Sequence, residues 1–474
     1  MSKPNIIFIL ADDMGYGDLS CFNYGASSTP RLDTLVGEGV CLSQQYSASP
    51  ICAPARAALL SGRYPQRSGV IDTITAGEMN CMATREITIA DIFKASGYQT
   101  GMIGKWHTGG VLDKYHPNQR GFDDFMGFRG GGSRYFDWNL EHNGKASQSD
   151  GRYLTDVFTS EAQAFISRNR KKPFFLHLAY NAPHGPFEAC DEDLKPFLEP
   201  GNFTKGVATV YAMIKRMDEG IGRVLDTLDR EGLRENTIVV FTSDNGPQMT
   251  NRPDIDCRRF NCGFRGSKGS VYEGGIRVPL VIRWPAGLQG QQHFHDLVHF
   301  TDWLPTLVTM ACIDCSETLP LDGIDVLPVL RGEGAKKMNP KRFWQFSRSV
   351  PLLTHNAAMR DGDWKLVRPG HELANSFEGW REDLAISEEV KSQPANFTNG
   401  VPDASGRSIC LDHSPEKPLL FNLASDPLEM NDLSSQEPER LSKMMSELEN
   451  WFDDVEKDRK TIPERQFRNA ATFE

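Results

Sequence analysis

Five short apolar runs decide most of what this chain can become. NIIFIL (5–10), TGMIG (100–104), PFFLHLAY (173–180), NTIVVFTS (236–243) and VPLVIRWP (278–285) are rich in Ile, Val, Leu and Phe. None shows the every-other-residue polarity of a strand with one wet face, so each reads as a strand buried on both sides. Between them, ITIADIFKASG (87–97) and VATVYAMIKRMDEGIGRVLDTLDREG (207–232) carry apolar residues at helical spacing. Gly97 and Gly232 stand where such helices stop. Strands alternating with helices join through right-handed crossovers. That predicts an α/β fold with a mostly parallel central sheet and helices on both faces.

The pattern changes after residue 340. FWQFSR (343–348), AAMRDGDWKLVR (357–368) and PLLFNLA (418–424) read as short strands, with Asp361-Gly362 as a hairpin signal. Residues 369–417 are rich in Gly, Pro, Ser and Asn and read as long loops. Residues 437–457 read as a charged amphipathic helix with Leu441, Met444, Met445, Leu448 and Trp451 on one face. The expected division is an α/β domain over 1–340 and a smaller α+β domain over 341–474, with a short antiparallel sheet and that helix at its end.

Composition narrows the function classes. The 474 residues are 39% hydrophobic, enough for a large core and against disorder. A net charge of −11 argues against a nucleic-acid partner, which calls for a basic stripe. No apolar run approaches the length of about 20 residues that a membrane span needs. MSKP leads into an apolar run that stops at Asp12-Asp13, too short for a signal peptide. The chain as given is therefore expected in the cytoplasm, or in the periplasm or secreted if a leader has been removed. Ten cysteines are scattered rather than set in a dense framework. Cys312-Ile-Asp-Cys315 lacks a second CxxC and a nearby His pair, which favours buried thiols over zinc or redox chemistry. Cys257 and Cys262 could pair in an oxidising compartment.

Ligands of an open α/β sheet collect at the carboxyl ends of its strands. Four such ends are chemically loaded: Asp12-Asp13, Lys105-Trp106-His107, Asn181-Ala182-Pro183-His184 and Asp244-Asn245-Gly246. Asp12, Asp13, Asp244 and the amide of Asn245 could form an all-oxygen cage, the preference of Ca²⁺ or Mg²⁺. Each pair alone could equally be a helix cap or a turn. Both together, ending buried strands, favour a metal.

Between these ends lies Cys52-Ala53-Pro54-Ala55-Arg56, followed by AALLSGRYP (57–65). Cys-x-Pro-x-Arg with a downstream Leu-x-Gly-Arg-x-Pro-like element resembles the signature of type I sulfatases. The resemblance extends through GYGDLSCFNYG (15–25), the Lys105 triplet, Pro183-His184, GFRGSKGSVYEGGIRVPLVIRWP (263–285) and FNLASDPLEMNDL (421–433). It implies an alkaline-phosphatase-like sulfatase fold and hydrolysis of sulfate monoesters by the first domain. It also implies oxidation of Cys52 to Cα-formylglycine by a formylglycine-generating or sulfatase-maturing enzyme. Ala55 departs from the Ser of many relatives, but Cys, Pro and Arg carry most of that enzyme's recognition.

The chemistry accounts for the residue types. Sulfate esters repel nucleophiles, and an aldehyde hydrate offers one hydroxyl to attack sulfur and a second to expel sulfate afterwards. A divalent metal acidifies the attacking hydroxyl, and cations neutralise the sulfuryl oxygens. By position, the resemblance assigns the metal to Asp12, Asp13, Asp244, Asn245 and modified Cys52. It assigns leaving-group protonation to His184 with Lys268, and proton removal to His107. Arg56 would position the formylglycine and its metal, and Lys105 would bridge nucleophile and sulfate. A phosphonate or phosphate monoester hydrolase using the same site is the alternative, and a non-catalytic binding protein that kept the fold is a third reading.

The resemblance is to the arylsulfatase and N-acetylgalactosamine-6-sulfatase-like branch, which points to a sulfated small molecule or oligosaccharide as substrate. Arg129, Arg134, Tyr135 and Trp138, in a Gly-rich stretch, are candidates to line a sugar subsite by pairing and stacking. Arg258, Arg259 and His355 are further candidates. His177 reads as a core histidine, and His293, His295 and His299 as loop and helix surface.

Overall fold

The computed structural model describes residues 3–73, 81–199, 201, 203–252, 255–314, 318–333, 340–348, 350–370, 392–397, 401–402, 415–463 and 465–466. All five expected strands form: β1 (Asn5–Ala11), β2 (Gln99–Lys105), β3 (Phe174–Ala179), β4 (Thr237–Ser243) and β5 (Leu280–Arg283). They lie in a ten-stranded sheet whose centre runs β5-β4-β1-β3-β2. β1 pairs in parallel with both β3 and β4, and β3 pairs in parallel with β2. Every residue of β1, β3 and β4 is buried, as unbroken apolar runs demand.

β5 is a strand but joins antiparallel to β4. On its other side it pairs antiparallel with Val40–Leu42, a strand too short to stand out in the sequence. Beyond β2 the sheet continues through Asp124–Phe128, Asn139–His142 and Lys145–Gln148. Helices cover both faces. Ile89–Ala95 packs in the core cluster with Phe8 and Phe175, while Lys205–Arg230 packs with Ile7 and Leu176 on the other side. Gly97 and Gly232 have φ of 83° and 69°, the left-handed turn that ends a helix without a Cβ penalty.

The carboxyl-terminal part holds a four-stranded antiparallel sheet: Arg342–Gln345, Ala357–Asp361, Trp364–Arg368 and Leu419–Asn422 in that order. The helix Pro438–Arg459 lays Met444, Leu448, Trp451 and Val455 on it. Most of 369–417, together with Cys315 and Cys410, lies outside the described residues. Cys257 and Cys262 are both free thiols, and Cys312 is exposed rather than buried. His177 is in the core against the Phe8 ring. His293 and His295 are exposed, but His299 is fully buried with Nδ1 at 2.8 Å from Thr301 Oγ1, so it is not a surface group. Among the described residues no helix is long and apolar enough to cross a membrane.

Gly104 shows how tightly β2 and β3 meet. Its φ is +108°, and a Cβ there would sit 1.9 Å from the Ala179 carbonyl oxygen. Gly104→Ala should therefore destabilise by about 2 kcal/mol or more, adding overpacking to backbone strain. Gly37, in the helix Pro30–Glu38 with nothing near its Cβ position, is the contrast. Gly37→Ala should stabilise by about 0.4–1 kcal/mol. Denaturant unfolding of both variants checks the pair.

Candidate active site

The parallel register of β1 and β4 builds the first half of the site. Ala11 pairs with Ser243, so Asp12-Asp13 and Asp244-Asn245 leave neighbouring strands at the same level. Successive side chains of an extended strand point to opposite faces. Asp13 breaks that alternation with φ of 66°, turning its carboxylate toward the same point as Asp12. The turn is pinned by Asp13 N–H donating to Asp244 Oδ1 at 3.2 Å and Asn245 Nδ2 donating to Asp13 Oδ1 at 2.7 Å. Arg259 holds it from outside, donating to the Asp13 carbonyl and, through two nitrogens at 2.7 Å, to the Asp18 carboxylate.

The helix Cys52–Ser61 supplies the second half, and the spacing of its motif follows from helix geometry. Cys52 is the first helical residue, and Pro54 falls in the first turn, where a missing N–H costs nothing. Arg56 lies four residues on and so shares a face with Cys52. Its Nε donates to Asp244 Oδ2 at 2.9 Å and its Nη1 to the Lys105 carbonyl at 2.9 Å. Lys105 Nζ donates to Asp12 Oδ2, and Lys268 Nζ to Asp13 Oδ2, each at 2.7 Å.

Three buried carboxylates thus face three cations, and oxygen atoms are still left over. Asp12 Oδ1 and Asn245 Oδ1 are buried without a hydrogen-bond partner. Ligand atoms of Asp12, Cys52 and Asp244 lie within 4.8 Å of one another, as do those of Asp12, Asp13 and His184. An oxygen-rich, anionic, converging set with orphaned acceptors fits a hard divalent cation such as Ca²⁺ or Mg²⁺. Burial pushes the Asp12 carboxyl up to about 7 against the opposing pull of Lys105, and the neighbouring Asp244 adds to the rise. Burial also acts on Asp13, but Lys268, His184 and Lys105 outweigh it and hold that carboxyl below its usual range.

This cluster lies at a cavity of about 710 Å³ whose lining includes Cys52, His107, His184 and Lys268. His184 Nδ1 sits 2.7 Å from the Gly185 carbonyl, which can only accept, so Nδ1 carries the proton and Nε2 is free to exchange one. Nε2 lies 3.7 Å from Asp13 Oδ2. Burial and then Lys268 push His184 down to about 3, and burial with Lys105 and Arg56 pushes His107 well below its usual range. At neutral pH these shifts favour the uncharged form of both rings. Neither nitrogen of His107 has a hydrogen-bond partner.

The structure brings Asp12, Asp13, Cys52, Arg56, Lys105, His107, His184, Asp244, Asn245 and Lys268 together. Of the expected sugar-binding residues, Arg259 reaches the Asp13 carbonyl, while the others do not line the cavity. Tyr135 and Trp138 are buried, and the Tyr135 hydroxyl donates to the Asn181 and His184 carbonyls, so it braces the His184 turn instead of stacking on a sugar. Arg134 is bound to Glu188, Arg129 to Glu141, and Arg258 to Asp256 on the exposed surface. His355 is buried beside Thr354, outside the cavity lining. The lining instead includes Thr73, Gln248, Thr250, Phe346 and Arg348, which no local motif announced. Arg348 Nη1 donates to Asp72 Oδ1 at 2.7 Å.

Known proteins match most of this chain. Residues 4–313 match the family described as Sulfatase, and residues 266–381 match that described as N-sulphoglucosamine sulphohydrolase, C-terminal. The chain is 30% identical to Arylsulfatase J of Mus musculus over 95% of this chain and 76% of that protein. It is 30% identical to the N-acetylgalactosamine-6-sulfatase of Homo sapiens over 94% of this chain and 84% of that protein. Among solved structures, Ps i-CgsB in complex with k-i-k-neocarrahexaose superposes with a TM-score of 0.79 at 30% identity, covering 95% of this chain and 93% of that one.

Adjacent arginines give a sharp test of the site's construction. Arg258 is half-exposed, so Arg258→Ala should leave the unfolding midpoint essentially unchanged. Arg259→Ala leaves the Asp18 carboxylate, 1% exposed, without its cation, and should cost about 3 kcal/mol or more. Urea unfolding of the two variants, side by side, measures the difference.

Proposed function

The chain belongs to the sulfatase family, the hydrolases of sulfuric esters, and from that premise we propose how its own residues act and on what. The carrying observation is that Cys52, His107, His184 and Lys268 line one cavity, with the acidic cluster at the Cys52 side of it. We propose that Cys52 is matured to Cα-formylglycine, which supplies the nucleophilic hydroxyl when hydrated. Burial raises the Cys52 thiol, so the unmodified side chain would be a poor nucleophile near neutral pH. A Ca²⁺ or Mg²⁺ ion held by Asp12, Asp13, Asp244, Asn245 and residue 52 would acidify that hydroxyl and offset charge on the sulfuryl group.

The remaining steps belong to the chain itself. Lys105 and Lys268 hold the anionic ester by charge, and Arg56 fixes Asp244 and the Lys105 backbone in place. His184 Nε2 gives a proton to the departing oxygen, its protonation favoured once an anionic ester lies beside it. His107 is neutral and unpartnered, the state needed to accept a proton. For the substrate we propose a sulfated carbohydrate. Support comes from the sugar named for the human relative, the oligosaccharide bound to Ps i-CgsB, and a cavity lined by hydroxyl, amide and guanidinium groups. A rate ratio favouring aryl phosphonate over aryl sulfate would instead support the phosphonate or phosphate hydrolase reading.

Two outcomes follow. Chelation should abolish sulfate release and lower the melting temperature, and Ca²⁺ or Mg²⁺ should restore both; a chelated chain with full activity would defeat the metal assignment. His184→Ala should slow a sugar sulfate far more than an activated aryl sulfate, whose phenolate leaves unaided. His107→Ala should slow both alike, by roughly 10²–10⁴-fold. Equal leaving-group dependence in the two variants, read by sulfate release, would reverse that division of labour.

A further inference from the structure

A second cavity, of about 380 Å³, lies at the other end of the sheet. Its lining includes Glu38, Arg234, Arg283, Trp284, Gln289 and Gln291. Arg283 ends β5 and pairs in register with Val239, five residues before Asp244 on β4. At about 3.3 Å per residue this places it roughly 15 Å or more from the acidic cluster, so the two cavities are separate.

The chemistry of this wall is one-sided. Arg234 Nη2 and Arg283 Nη1 both donate to a single oxygen, Glu38 Oε2, at 2.8 Å and 3.0 Å. Arg283 is 3% exposed, and its Nε and Nη2 have no acceptor. The indole Nε1 of Trp284 is likewise buried without a partner. Arg331 adds a third guanidinium over the Trp284 ring, 5.7 Å from its centre. Arg234 Nη1 also reaches both oxygens of Asp229 at 3.4 Å, whereas Arg283 has only its Nη1 bond to Glu38 and two donors left over. Burial, opposed by Glu38 and Asp229 and reinforced by Arg234, pushes the Arg283 guanidinium below its ordinary value. Buried guanidinium groups are stable when a planar or tetrahedral oxoanion completes their hydrogen bonds.

We propose that this cavity is a second anion site, which takes a sulfate group through Arg234, Arg283 and the Trp284 indole. The group is either free inorganic sulfate, the product of the reaction, or a sulfate carried on a glycan chain away from the bond being cleaved. The site stands on its own residues and does not depend on how the active site works.

Trp284 provides a local reporter. The chain labelled with 5-fluorotryptophan, its Trp284 resonance identified through Trp284→Phe, is titrated with sodium sulfate at constant ionic strength against sodium chloride. A saturable shift of that resonance by sulfate and not chloride is expected. Arg234→Gln and Arg283→Gln should each weaken it roughly tenfold or more, the scale of a lost charged hydrogen bond. Glu38→Gln should move the other way and tighten sulfate several-fold, because it removes the anion that competes for the same donors. That opposite sign separates a binding effect from damage to the fold. In the Cys52→Ala chain, a sulfated hexasaccharide acting at lower concentration than sulfate would identify the glycan, and sulfate acting alone would identify the free ion. A Trp284 resonance unmoved by both, or a sulfate affinity indifferent to all three substitutions, would overturn the site.

Discussion

Charge held out of water is the constraint on which the rest of this structure depends. Asp12, Asp13 and Asp244 are each 1% exposed or less, and ligand atoms of Asp12 lie within 4.8 Å of those of both Asp13 and Asp244. Unpaired, such carboxylates would take up protons or drive the strands apart. Here each has a cation at 2.7–2.9 Å: Lys105 for Asp12, Lys268 for Asp13 and Arg56 for Asp244. Those three cations come from three distant parts of the chain. The acidic cluster therefore cannot form until β1, β2, β4, the Cys52 helix and the Lys268 loop have met. The same interaction that makes the site reactive makes its assembly depend on the whole α/β layer.

Much of this was legible in the sequence, for identifiable reasons. A strand buried on both faces announces itself as an unbroken apolar run, and its polar end marks where a ligand can sit. Asp12-Asp13, Lys105, His107, His184 and Asp244-Asn245 were found that way, and the structure converges them. Cys52 and Arg56 were found by motif, and their spacing of four is the helix repeat. The antiparallel setting of β5 was not legible, because an apolar run carries no sign of its direction. Nor were the strands Val40–Leu42 and Gln292–Phe294, each three residues long.

The candidate substrate residues that stand apart from the cavity lining share one cause. Tyr135, Trp138, Arg134 and Arg258 were chosen by residue type and a nearby Gly-rich or polar stretch. Which way a loop side chain points is settled by partners far away in sequence. Glu188, 54 residues on from Arg134, takes that guanidinium and also accepts the Tyr135 backbone N–H. Asn181 and His184 take the Tyr135 hydroxyl. Tyr135 still serves the site, but as the brace of the His184 turn. Arg348 and Thr73 reach the cavity from segments with no local signature at all, and Asp72 joins them only in three dimensions.

The carboxyl-terminal sheet owes its place to the same charge constraint. Lys268 must be held against Asp13, yet it stands in a glycine-rich loop with little stiffness of its own. Two backbone bonds moor that loop to the catalytic layer: Lys268 N–H to the Pro247 carbonyl and Gly269 N–H to the Pro50 carbonyl. The rest comes from beyond residue 340. Asn356 accepts the Val271 N–H and donates to the Gly269 and Phe346 carbonyls, while Phe346 packs on Ile51 and Cys52. Lys365, fully buried on the second sheet, reaches Glu273 at 2.9 Å and Glu429 at 2.8 Å, and Glu429 accepts the Glu273 N–H. A buried ion group of this kind gives little net stability but fixes one arrangement, since any shift strands a charge. The second sheet thus acts as a clamp on the loop that carries Lys268, and the site is the product of both parts of the chain.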